Sequence, residues 1–170
     1  ISNNVANQGG GIYFHGKLIL VNSYLTNNAA NEKGGGFVSC CGSDVTMDNV
    51  TITGNTTNNP AYGNGLLITG SSANQISVAN SIIWGNYDGD GVMTTVIFYD
   101  SYPLIADIDY SLMEGGMGGL SIGTADVTLE WGVNNIDGNP YFCDPDSGDY
   151  TLGDNSPCVG TGENGANMGA

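Results

Sequence analysis

Asn22-Ser23-Tyr24-Leu25-Thr26-Asn27-Asn28 returns as Asn49-Val50-Thr51-Ile52-Thr53-Gly54-Asn55, and again as Asn80-Ser81-Ile82-Ile83-Trp84-Gly85-Asn86. A degenerate copy is Tyr110-Ser111-Leu112-Met113-Glu114-Gly115-Gly116, and Ile1-Ser2-Asn3-Asn4 matches the end of the motif. The leading positions 22, 49, 80 and 110 lie 27, 31 and 30 residues apart. Before the motif stand Leu18-Ile19-Leu20-Val21, Val45-Thr46-Met47 and Gln75-Ile76-Ser77-Val78. After it come Gly9-Gly10-Gly11-Ile12-Tyr13, Gly34-Gly35-Gly36-Phe37-Val38 and Gly63-Asn64-Gly65-Leu66-Leu67. Each repeat therefore holds three short β-rich runs separated by Gly, Asn and Asp turns.

One such unit cannot bury its apolar face alone, whereas stacked units bury a continuous core and pair every strand. The expected fold is all-β: a right-handed parallel β-helix, a solenoid of about 27–31 residues per coil with three short strands per coil. A β-sandwich also needs frequent turns, but it does not need the same Asn and Gly in every repeat. Stacking predicts one column of Asn22, Asn49 and Asn80 and a second of Asn4, Asn28, Asn55 and Asn86, since amides bond to the amides above and below. Residues 58–62, 69–74, 87–91 and 100–103 should emerge as loops. Residues 1–134 form the coils of what reads as an N-terminally truncated fragment. Residues 135–170 form a final coil and C-terminal capping segment.

The run Asn4-Val5-Ala6-Asn7-Gln8-Gly9-Gly10-Gly11-Ile12-Tyr13 resembles the repeats of pectate-lyase-like right-handed β-helices, especially those of polymorphic outer-membrane proteins and secreted bacterial surface proteins. The second copy, from Asn28 to Phe37, fits with one extra residue. The tail, with Asn135-Ile136-Asp137-Gly138-Asn139-Pro140-Tyr141-Phe142 and Ser156-Pro157-Cys158, is similar to the last coil of such proteins. The resemblance implies a fold and little about function, because that fold carries lyases, hydrolases, adhesins and passive stalks.

Seventeen acidic residues face two lysines and no arginine, a net charge of -15. Such a chain repels nucleic acid, whose binding needs Lys and Arg to displace counterions. No run approaches the ~20 apolar residues of a membrane span, so direct membrane insertion is not expected. Ile1-Ser2-Asn3-Asn4 shows no signal-peptide pattern and reads as a cut within a longer exported protein.

Cys143 and Cys158 flank an Asp-, Gly- and Pro-rich stretch and are expected to form a disulfide, which fits an oxidising, extracytoplasmic setting. Cys40 and Cys41 are adjacent, and a bond between neighbours is strained, so two buried thiols are the alternative.

Lyases of the resembling group use a basic residue beside calcium and an acidic sugar. Neither Lys17 nor Lys33 has a carboxylate cluster near it in sequence. Asp107 and Asp109 share a strand face and are a candidate hydrolase pair, with two solvated polar residues as the plainer reading. His15 reads as a turn-end surface residue. No catalytic residue is assigned. Asp144, Asp146 and Asp149 place three carboxylates around a Gly, a candidate calcium loop that lacks a distal bidentate Glu. Asp88 and Asp90 form a weaker one. Solvated acidic turns are the alternative at both, and no cofactor is required apart from this calcium option. Trp84, Tyr87 and Tyr102 form a candidate sugar platform if they share a face.

The expected function is a non-catalytic extracellular or cell-surface module, adhesive, carbohydrate-contacting or a structural spacer, within a larger exported bacterial protein. Its partners would be a polysaccharide or another cell-surface component, with further coils or a second copy adding end to end at the open N-terminal edge. The alternatives are the C-terminal part of a polysaccharide-degrading enzyme, with its catalytic residues elsewhere, and a calcium-stabilised stalk.

Overall fold

A computed structural model of the chain describes residues 1–59, 62–70, 72–88, 96–100, 102–123 and 126–170. It is an all-β parallel β-helix of about four turns. The first coil contributes β1 (Val5–Gln8), β2 (Ile12–Phe14) and β3 (Lys17–Thr26). The second contributes β4 (Ala29–Lys33), β5 (Phe37–Cys40) and β6 (Asp44–Thr53). Then follow β7 (Thr56–Thr57), β8 (Leu66–Gly70), β9 (Asn74–Ala79) and β10 (Ile82–Trp84). The later coils hold β11 (Val96–Asp100), β12 (Leu104–Asp109), β13 (Leu112–Met113), β14 (Leu120–Ile122) and β15 (Val127–Trp131). Three parallel sheets run along the stack: β1-β4-β7, then β2-β5-β8-β11-β14, then β3-β6 continued through β9 and β10 to β12, β13 and β15.

Alternation along each strand sends every second side chain inward, and equal registers put like upon like. Leu18 sits on Val45, Val45 on Ile76, Ile76 on Ala106 and Ala106 on Leu129. A second column runs Ile12, Phe37, Leu66, Val96 and Leu120. A third is Leu25, Ile52, Ile83 and Met113. These columns merge into one apolar core.

The third sheet is bent in every coil. Asn22, Asn49, Asn80 and Tyr110 occupy equivalent positions with φ of 46°, 56°, 50° and 49°. This is the left-handed region, which Asn enters most readily among residues with a side chain. Asn49 donates its amide to Asn22 Oδ1 at 2.7 Å. The expected column stops there. Asn80 turns its amide to Asp48 Oδ1 at 2.8 Å instead. Its own Oδ1 accepts from the Glu163 backbone at 2.7 Å, which pulls it out of line.

The second column is complete. Asn4 donates to Asn28 Oδ1, Asn28 to Asn55 Oδ1 and Asn55 to Asn86 Oδ1, each at 3.0 Å. The same oxygens accept the backbone N–H of the residue above. Asn28, Asn55 and Asn86 are completely buried. Beside them the glycine corners stack closely: a Cβ on Gly36 would lie 2.6 Å from Gly65 O and 3.0 Å from Asn55 Nδ2. A surface column that the repeats do not announce links Asn7, Asn31 and Asn58 at 3.1 and 3.4 Å.

Residues 135–170 continue the stack at their start. Asn135 still accepts from Ser111 N, and Ile136 still bridges Leu112. Beyond them the chain leaves the stack. A hairpin of β16 (Phe142–Asp144) and β17 (Asp149–Leu152) lies against the outside of the third sheet. Cys158 and Met168 bury the outward-facing Ile82 and Leu112. Gly169 N then donates to Asn80 O, Ala170 N to Thr51 Oγ1, and Ala170 O accepts from the Tyr24 hydroxyl. The segment thus returns past the third and second coils to the first.

All four cysteines are free thiols. The expected Cys143–Cys158 bond is not formed. Alternation in β16 sends Cys143 to solvent, while Cys158 is wholly buried against Ile82, Leu112 and Met168.

The buried column makes a test. Asn55→Leu leaves Asn28 N and the Asn28 amide without their acceptor, and should destabilise the fold by about 2–4 kcal/mol. Asn31→Ala on the exposed column should cost under about 0.5 kcal/mol. Urea midpoints compare them, and equal losses would contradict the reading of the inner column as the structural one.

Candidate functional site

Outward-facing side chains of β10 and the returning hairpin enclose an aromatic groove of about 410 Å³. Trp84 and Tyr87 come from the coils, and Tyr141, Phe142 and Tyr150 from the hairpin. Asn27, Asn139 and Asp146 supply polar groups at the same surface. Alternation explains Trp84: Ile83 points into the core, so Ile82 and Trp84 point out. Gly54 lies beneath, and a Cβ there would fall 2.3 Å from Asn27 Oδ1.

The walls are braced. Asn27 Nδ2 donates to the Tyr150 hydroxyl at 2.9 Å, and the Phe142 and Tyr150 rings meet edge to face at 5.4 Å. Glu114 is buried and accepts from Gly85 N and from the Tyr87 hydroxyl, both at 2.8 Å. Burial, followed by the hydrogen bond to Glu114 and its negative charge, pushes the Tyr87 phenol up to about 12. Tyr87 therefore stays protonated with its ring fixed, while 39% of its surface remains exposed. Across the Asn27–Tyr150 bridge lies a second hollow of about 370 Å³, lined by Tyr24, Asp149 and Thr151 among others. Burial, then the nearby Asp149 carboxylate, raises the Tyr24 phenol above its ordinary value.

Two of the three expected aromatics meet here. Tyr102 is exposed but does not line the groove. The hairpin aromatics belong to the non-repeating tail, where no period assigns a face, so the sequence does not link them to Trp84.

The acidic loop is not gathered around one point. Asp144 Oδ1 accepts from Ser147 N, capping a single 3₁₀ turn. Asp149 Oδ1 accepts from the backbone and hydroxyl of Thr151, which hold its carboxyl below its usual value. Asp146 faces the groove. Asp88 is buried, and Asp90 lies outside the described residues. Among the described residues no group of three His, Cys, Asp or Glu is placed to hold a metal ion.

Asp107, Asp109 and Glu130 line a shallow hollow of about 220 Å³ with Trp131. Asp109 is engaged by the Asn134 amide at 3.2 Å and by Tyr110 N at 2.9 Å, so it anchors a turn. Asp107 and Glu130 are register partners on the exposed face. Both lysines serve the surface: Lys17 pairs with Asp44 at 3.1 Å, and Lys33 lies 4.7 Å from the Tyr62 ring centre. His15 is exposed.

Compared with protein-family models, curated proteins and solved structures, the chain matches none. Fold and groove define it as a parallel β-solenoid whose own C-terminal segment completes an aromatic cleft.

The Glu114-bonded phenol sets an alkaline limit. Tyr87 keeps its proton to about 12 in the fold, against about 10 in the unfolded chain. The unfolded state therefore binds fewer protons between those values, and stability falls as pH rises through that window. Tyr13 shares the effect, with its phenol pushed up to about 12, first by its contact with Cys40 and then by burial. Thermal melts from pH 9 to 12 should fall steadily, and Tyr87→Phe should flatten the fall. An unchanged slope in that variant would place the effect elsewhere.

Proposed function

We propose that the chain is a non-catalytic extracellular β-helix module that holds a carbohydrate in the Trp84 groove. The supporting observation is the convergence of Trp84, Tyr87 and Tyr141 with Asn27, Asn139 and Asp146 in one cleft. Sugar rings offer an apolar face to aromatic rings and hydroxyls to amides and carboxylates, so this mixture suits them. A net charge of -15 with no arginine disfavours uronic-acid polymers and favours neutral ones. Display is the mechanism: a rigid stack fixes the cleft, and the parent protein supplies export and attachment. The likeness of its Asn and Gly repeats to those of pectate-lyase-like surface proteins supports this setting. Ile1–Asn3 already pair with Tyr24–Thr26, while strands β1 and β2 and the first half of β3 have a neighbour on one side only, which suits addition of a further coil or a second molecule by strand pairing.

A second reading, part of a polysaccharide-degrading enzyme, is favoured by the exposed Asp107 and Glu130 side by side on adjacent strands. It predicts hydrolysis of a bound polymer that is lost in Asp107→Asn.

Titration against neutral β-glucan, mannan and xylan oligosaccharides decides the first reading. Trp84→Ala should weaken binding by roughly tenfold or more, as loss of one stacking ring does. Tyr102→Ala should leave it unchanged. Equal binding by wild type and Trp84→Ala would exclude the groove.

A further inference from the structure

Cys40 ends β5, and Cys41 begins the turn into β6. Cys40 is buried, Cys41 is half-buried, and the two thiols sit on adjacent residues of one tight turn. Tyr13, from the neighbouring coil, sets its hydroxyl 3.3 Å from Cys40 Sγ. The turn is held from several sides. Cys41 adopts a φ of 66°, Ser43 Oγ donates to Cys40 O at 2.6 Å, and a Cβ on Gly70 would lie 2.3 Å from Cys41 N. Among the described residues no third His, Cys, Asp or Glu makes this a metal site. What two adjoining thiols can do without a third ligand is exchange with disulfides.

We propose that Cys40 and Cys41 are a reversible redox pair that closes to a disulfide between neighbours by exchange with a low-molecular-weight disulfide. Cys41, the more exposed, attacks first as its thiolate. One sulfur of the small disulfide bonds to Cys41 and the other leaves as a thiolate. Cys40, deprotonated, then attacks Cys41 Sγ and expels the second small thiolate. Two small thiols carry away the two protons, so the pair is oxidised by two electrons and the small disulfide is reduced. The closed ring holds only two side chains and one peptide bond. Strain of that kind raises the potential and makes the bond easy to reopen. Closure also replaces the Cys40 thiol beneath the Tyr13 hydroxyl, so the pair's state is felt at an exposed aromatic.

Incubation of the whole chain with oxidised glutathione, iodoacetamide trapping and peptide-resolved mass spectrometry tests this. The peptide holding Cys40 and Cys41 should lose two hydrogens, carry no glutathione and recover with dithiothreitol, its alkylatable fraction falling roughly tenfold. Exposed Cys143 should collect glutathione and so reports that the reagent is active. Cys40→Ser should trap glutathione on Cys41. The proposal is overturned if Cys143 reacts while Cys40 and Cys41 both stay alkylatable. A stable glutathione adduct on wild-type Cys41 overturns it equally, and both outcomes are read on wild type even if the variant does not fold.

Discussion

The stack depends on a buried line of amides. Asn28, Asn55 and Asn86 each accept the backbone N–H and the side-chain N–H of the residue one coil away. They sit where the chain turns a corner and strand pairing cannot satisfy the backbone. An apolar residue there would fill space but strand those N–H groups out of water, at a cost comparable to a lost hydrogen bond each. The Gly34-Gly35-Gly36 corner follows from the same constraint, because coils this close leave no room for Cβ atoms beside the amides.

That constraint explains what could be read without coordinates. Stacking repeats its demands at a fixed interval, so Asn at 28, 55 and 86 and the glycine runs disclosed coil length, strand number and core columns. The outer column was legible at Asn22 and Asn49 and misleading at Asn80, since nothing in the repeat shows that a distant segment will bond to it. The tail escaped for the same reason. It has no internal period, and its position is set by Ile82 and Leu112, whose outward direction is visible only after the coils are built. Half of the cleft, Tyr141, Phe142 and Tyr150, escaped with it.

Charge and chemistry are distributed differently from shape. Acidic side chains that look like ligand sets in one dimension become turn fasteners in three: Asp144 on Ser147, Asp149 on Thr151 and Asp109 on Asn134. The buried carboxylate of Glu114 serves the cleft by orienting Tyr87. Several carboxylates of this acidic, glycine-rich solenoid thus fasten its own turns.

Solenoids usually fray, because each coil touches only its neighbours and the ends can melt alone. Here the last two residues bond to Asn80, Thr51 and Tyr24, which belong to three successive coils. The tail acts as a clasp that ties sequence-distant rungs into a single cooperative block. Local unravelling at the first coil must also release the final residues, and loss of the tail would loosen the array along its length.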